Sequence, residues 1–232
     1  MFIEKVGEER FYPVTKDHSR VSVTTVIGAV HPKSPFLVDW MVATGKEKAQ
    51  EIKETAGEEG HVIHEAVERL RNGEKIRADE LTSKGRKCIA AFVAWYKKVN
   101  PKILENEIRV DCDMRGEYEY AGTIDLVVEI DGEKWVVDVK TSNNVWPEHF
   151  VQVSAYVKAW NCEVGRGMIN KGAILHLNSK TKQGYSWNEV DLDKWTNVWN
   201  ADLNLFYALY PNPQPKFIEY PEYFTLAEEE VK

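Results

Sequence analysis

Hydrophobic and polar positions change period several times along the chain, and each change predicts an element. Residues 2–14 read as short strand material. Ser22 or Thr24 suits the cap of a short helix over Val26 and Ile27, and the run His31-Pro32-Lys33-Ser34-Pro35 reads as a loop. From Phe36 to Arg71 the composition is helical, with breaks expected near Thr44-Gly45 and again between Gly57 and Gly60. Ile63, Ala66, Val67 and Leu70 fall on one helical face, and Asn72-Gly73 ends it. A further helix is predicted over 79–99, with Ile89, Phe92, Val93 and Tyr96 as its stripe and Pro101 as its stop. Residues 103–112 alternate as a half-buried strand: Leu104, Ile108 and Val110 against Glu105, Glu107, Arg109 and Asp111. Pro147 suits the first turn of a helix reaching Asn161. An apolar strand over 172–178, a turn at Lys182-Gln183-Gly184 leading to another strand, and a helix over 191–210 complete the pattern. The proline-rich stretch after Tyr210 reads as irregular, with an acidic end.

The most informative segment is AGTIDLVVEI, Asp131-Gly132, EKWVVDVK. Asp-Gly between two β-rich runs predicts a tight hairpin. A two-residue loop pairs Ile130 with Glu133, and one face then carries Ile124–Val139, Leu126–Val137 and Val128–Trp135. That face is wholly apolar and is expected in the core, which fixes the register, because a one-residue slip would exchange the faces. The other face pairs Glu129 with Lys134, Val127 with Val136, Asp125 with Asp138, and Thr123 with Lys140. Like charges directly opposite destabilise a sheet, with β-carbons about 5 Å apart. A divalent cation with oxygen ligands would compensate them, and Lys140 projects two residues further along the same face. A solvated face is the plainer alternative. The mid-strand position of the pair, the lysine at i+2 and the apolar character of both strands weigh against it.

Composition changes this picture little. The chain has 232 residues, 43% hydrophobic and 29% charged, as expected of one folded domain spanning 1–232. No apolar run is long enough to span a bilayer, and the charged N-terminus does not resemble a secretory signal. A cytoplasmic protein is expected, with no membrane partner. Cys88, Cys112 and Cys162 include no CxxC pair, so zinc ribbons and iron–sulfur clusters are not indicated, and three free thiols fit a reducing compartment. The net charge of −7 disfavours a broad nucleic-acid surface, but a local basic patch suffices, and bound cations would invert the charge of an acidic site.

The strings GTID and VVDVKTS resemble the two signature strands of the PD-(D/E)XK nuclease superfamily, especially its RecB-like branch. GEEGHVIHEAVERL is similar to the upstream helix of that branch and aligns its histidine with His64. QVSAY is similar to the downstream helix motif and aligns Gln152 and Tyr156. SVTTVIGAVHPKSPFLVDW resembles the N-terminal part of phage-type members and of the mitochondrial genome maintenance exonuclease group. The resemblance implies an α/β fold with a central mixed sheet flanked by helices, the restriction-endonuclease-like core. It implies Asp125, Asp138, the carbonyl of Val139 and His64 as ligands of one or two Mg²⁺ or Mn²⁺ ions. Asp125, Asp138 and Lys140 would form the catalytic set, with Lys140 on the attacking water or the scissile phosphate. Gln152 and Tyr156 would support the site or the DNA, and Glu107 could add a further carboxylate. The family's proline is replaced here by Ile124.

Other groups carry less. His61 reads as an ordinary exposed helix residue, and no HExxH spacing exists for a zinc protease. Gln152 and Tyr156, with His149 on the same face, could equally form a plain polar helix face. Most tryptophans read as core; Trp146, in the loop after the lysine strand, is the best candidate for stacking on a base. Lys46, Lys48 and Lys53 fit a solvated helix face. The expected function is metal-dependent hydrolysis of DNA. The resemblance to the RecB-like and mitochondrial exonuclease branch implies an exonuclease acting on single strands or flaps in replication, recombination or repair, and a phage or mobile-element origin fits it. The alternatives are a structure-specific endonuclease and a non-catalytic DNA-binding protein with a relic site. Protein partners are not readable.

Overall fold

A computed structural model describes residues 2–7, 9–114, 118–163 and 165–220. The elements in chain order are β1 (Phe2–Val6), β2 (Phe11–Thr15), β3 (His18–Ser22), α1 (Val23–Val30), α2 (Pro35–Thr44), α3 (Lys46–Arg71) and α4 (Ser83–Val99). Then follow β4 (Lys102–Asp113), β5 (Glu119–Ile130), β6 (Glu133–Lys140), α5 (Pro147–Cys162), β7 (Gly172–His176), β8 (Ser186–Glu189), α6 (Leu192–Leu209) and β9 (Lys216–Tyr220). The fold is α/β, with a central mixed sheet flanked by helices. Among the described residues seven strands form this sheet, in the order β2-β3-β5-β6-β7-β8, with β4 also on β5; β1 and β9 pair separately. No described helix is long and apolar enough to cross a membrane.

Two cores lie on the two faces of the sheet. On one, Ile63, Val67, Phe92 and Trp95 of α3 and α4 pack against Leu126, Val128, Trp135, Val137 and Val139. On the other, Val153, Val157, Trp199 and Leu203 of α5 and α6 pack against Ile124, Val127 and Val136. Strands apolar on both faces are what a sheet sandwiched between helix layers requires.

The fork in the sheet positions the site. β4 borders one edge of β5 throughout. On the other edge, β3 runs parallel at Tyr120 and Ala121, and β6 pairs antiparallel only from Leu126 onward. Between them the edge at residues 122–125 has no strand partner among the described residues.

The hairpin ladder follows the predicted register from Ile130↔Glu133 to Leu126↔Val137. It then ends, so the expected ladder pairs Ile124–Val139, Asp125–Asp138 and Thr123–Lys140 do not form. Ile124 packs on the α5 side while Leu126 and Val128 pack on the α4 side. The alternation therefore shifts phase at Asp125, because β6 gives way to β3 along this edge.

Four further expectations are corrected. α3 runs unbroken through Gly57 and Gly60. A helical glycine costs about 1 kcal/mol relative to alanine but need not end a helix, and Gly60 lets the helix approach Thr141, whose Oγ1 would lie 3.4 Å from an added Cβ. The buried stripe of α4 is Cys88, Ile89, Phe92 and Trp95, with Tyr96 turned outward, 40% exposed. The stretch after Tyr210 includes β9, which pairs with β1; the acidic end lies outside the described residues. Finally, Cys112 and Cys162 form a disulfide that ties β4 to the end of α5, and only Cys88 is free. Thiol count therefore no longer argues for a reducing compartment.

Candidate metal centre

Asp125 sits at the fork. Its Oδ2 accepts the N–H of Val139 at 2.7 Å, taking the place of the ladder bond that a continuing β6 would have made. Its Oδ1 lies 3.7 Å from Nδ1 of His64, on the α3 face. Oε1 of Glu107 lies 3.9 Å from the same nitrogen. One donor atom from each of His64, Glu107 and Asp125 falls within 4.8 Å of the others.

Glu107 reaches this cluster through an unusual backbone. Its φ is 45°, a left-handed conformation in mid-strand, flanked by the pairs Asn106↔Leu126 and Ile108↔Ile124. Such a conformation in a non-glycine residue costs of order 1–3 kcal/mol and recurs at functional sites.

Asp138 stands beside the cluster rather than in it. It is 1% exposed, and its Oδ2 meets the ammonium of Lys140 at 2.7 Å. The groups sense one another. Burial drives the Asp125 carboxyl above its ordinary pKa, and Asp138 adds to this, while His64 and Lys140 oppose it. Burial alone would lower His64, but Asp125 and Glu107 outweigh it and raise the imidazole to about 9. Burial would likewise lower Lys140, but Asp138 and Asp125 hold it above its ordinary value. Without a cation, the histidine and lysine charges compensate the carboxylates.

α5 packs on the face of the sheet opposite α3. The amide of Gln152 donates to the phenol oxygen of Tyr156 at 2.8 Å. Burial, then Asp138 and Asp125, push that phenol well above its ordinary pKa, so it stays protonated. The ring lies on Gly122: an added Cβ there would collide with Cε1 of Tyr156. Trp146 is half-buried at the start of α5 and donates its main-chain N–H to Nδ1 of His149 at 3.2 Å, while Val139 is buried. His61 is exposed on α3 and outside the cluster.

The structure thus gathers His64, Glu107, Asp125 and Val139, and sets the Asp138–Lys140 pair and the Gln152–Tyr156 pair against them. Trp146 stands apart at the head of α5. The sequence reading missed Gly122 as the seat of Tyr156; glycine inside a strand pattern is the signal for such an approach. It also missed Tyr12, whose phenol shares a 2.9 Å hydrogen bond with Thr123. Nothing local in the sequence announces that contact.

No known family model and no curated protein matches the chain. Among solved structures, the crystal structure of SSO0001 aligns over 82% of this chain and 78% of that chain, at 15% identity and a TM-score of 0.41. A likeness that distant carries no weight for the site.

One imidazole and two carboxylates around a common point fit a divalent cation with mixed oxygen and nitrogen ligands, Mn²⁺ more readily than Mg²⁺, which favours oxygen. His64, Glu107 and Asp125 could hold it, with Asp138 and the carbonyl of Val139 as neighbours.

Proposed function

We propose that the protein is a metal-dependent deoxyribonuclease of the PD-(D/E)XK type, acting as an exonuclease on single strands or flaps in replication, recombination or repair. We place it in the cytoplasm, where such DNA is met. The observation that carries this reading is the meeting of Asp125 with His64, Glu107 and the Val139 N–H, with an Asp138–Lys140 ion pair alongside. All but Glu107 belong to the motifs GxxxH, GTID and DVK, and with Glu107 they come from four separate elements, α3, β4, β5 and β6.

Hydrolysis of a phosphodiester needs an activated water and neutralisation of the charge that builds on phosphorus. A Mg²⁺ or Mn²⁺ ion bound by these residues would supply both. The protein's own groups do the rest. Asp125 is held in place by the Val139 amide, so its second oxygen stays aimed at His64. Lys140 presents an ammonium beside Asp138, where it can turn to the attacking water or to a non-bridging phosphate oxygen. A charge fixed in a partly dehydrated site is worth far more there than in water. Tyr156 stays neutral and accepts the Gln152 amide.

End-labelled linear single-stranded DNA, linear duplex and circular DNA, each incubated with Mg²⁺, Mn²⁺ or EDTA, test the proposal. Degradation of linear strands with metal, sparing of circles and silence in EDTA are expected. Cutting of circles would replace the exonuclease by an endonuclease on the same centre. Failure to cleave any substrate with either metal would defeat the nuclease reading.

A further inference from the structure

The centre opens into a groove of about 360 Å³ that the hydrolytic reading does not use. Gly57, Gly60 and His61 of α3 line it, with Thr141 and Ser142 after β6 and Lys84 from the first turn of α4. His64 and Lys140 line it too, so the groove is continuous with the centre.

Its chemistry contrasts with that of the whole chain. The protein carries a net charge of −7, yet the lining holds two lysines, two histidines and no carboxylate. Lys84 is held by Glu59, which lies outside the lining, at 3.3 Å. An ammonium has three donors, so two remain for another acceptor. The groove stays open because the helix wall is small: a Cβ on Gly57 would meet nothing within 4 Å. Lys140 is likewise paired, with Asp138 at 2.7 Å, but a groove of this size walled by ammonium and imidazole groups rather than carboxylates matches an unpaired nucleic-acid backbone, which such grooves follow through its phosphates.

Resting on the nuclease reading, we propose that this groove seats a phosphate neighbouring the scissile one on a single strand, and that Lys84 binds it. Lys84 would then set substrate affinity without taking part in the bond-breaking step.

The test uses the full chain and a labelled single-stranded oligonucleotide. Binding is measured by anisotropy in Ca²⁺ over a range of salt, and cleavage in Mn²⁺ gives kcat and KM separately. Two variants are compared with the wild type. Lys84→Ala removes the phosphate contact. Gly57→Leu fills the groove from an open position while improving helix propensity, so its fold is preserved. Lys84→Ala should weaken binding several-fold and reduce the salt slope by about 0.7, the value for one phosphate contact on a single strand. Gly57→Leu should weaken binding about tenfold, roughly 1.4 kcal/mol. Both should raise KM and leave kcat near that of the wild type.

Wild-type affinity and KM in both variants would overturn the groove proposal while cleavage by the parent protein keeps the nuclease reading. A fall in kcat with binding unchanged would also overturn it. A parent protein that binds through the groove but never cleaves would sink the nuclease reading alone. One that neither binds nor cleaves would sink both.

Discussion

The side chain of Asp125 accepts a hydrogen bond from the main chain of Val139 at the point where the ladder between β5 and β6 stops. A carboxylate thereby takes over a main-chain role, and one of its oxygens is left for the histidine across the fork. Asparagine can keep the first contact through its carbonyl oxygen but cannot offer an anion to a metal. Asp125→Asn is therefore expected to keep its circular dichroism and melting behaviour while losing cleavage by on the order of a hundredfold or more, the scale for removing one transition-state-stabilising group. Near-normal activity in the purified variant would remove Asp125 from the centre.

Asp138 is buried and Lys140, 20% exposed, is its ion-pair partner, so removing the lysine strands a buried carboxylate. Lys140→Met should lower stability by about 3–5 kcal/mol in urea unfolding and abolish cleavage. Combining Lys140→Met with Asp138→Asn should restore much of the stability and none of the activity. If the double variant regains cleavage, the pair is structural only.

His64 joins the cluster through one nitrogen, 3.7 Å from Asp125 and 3.9 Å from Glu107. His64→Ala should raise the Mn²⁺ concentration for half-maximal cleavage by about tenfold or more, and should shrink the gain in melting temperature that the ion gives by binding the folded state. An unchanged metal titration would place His64 outside the ligand set.

His149 gives a pH-dependent stability with a defined sign. Burial, then Lys140 and His176, lower its pKa to about 3, and its Nδ1 must stay unprotonated to accept the Trp146 N–H. The unfolded chain binds that proton near pH 6.5, so between these values the unfolded state holds more protons, and stability falls as pH falls. The loss attributable to this residue should reach about 2 kcal/mol by about pH 5. His149→Gln, whose side chain can occupy the same capping position, should flatten the melting-temperature profile below neutrality. An equal slope in both proteins would contradict the assignment.

The Cys112–Cys162 bridge spans a sequence separation of 50 residues. Loop-closure entropy predicts about 4 kcal/mol of stabilisation for a link of that length. Thermal unfolding with and without reductant measures it. The wild type should lose stability on reduction, and a Cys112→Ser, Cys162→Ser protein should not respond. Identical responses in the two would show that the thiols are free.

The hairpin was legible because Asp131-Gly132 and the two-residue period constrain each other within twenty positions. Local chemistry sufficed to pair Val128 with Trp135. It did not suffice at Asp125, because the end of the ladder depends on β3 arriving from a hundred residues earlier to take the same edge. Glu107 reads as an extra carboxylate, but its left-handed backbone, opposite Asp125 in the pairing with β5, leaves no mark in the sequence. The disulfide was hidden for a similar reason: its two residues meet only once α5 has folded back on β4. The unbroken course of α3 shows the opposite error, a local glycine signal outweighed by the helix on either side and by packing against the end of β6.

The change of partner along β5 also sets how this protein can vary. Residues 122–125 are measured out between two neighbours, β3 before them and β6 after, and Gly122 must lie under Tyr156 while Asp125 reaches Val139. Lengthening or shortening that stretch by a single residue would misalign one anchor or the other. This four-residue span therefore behaves as a fixed ruler.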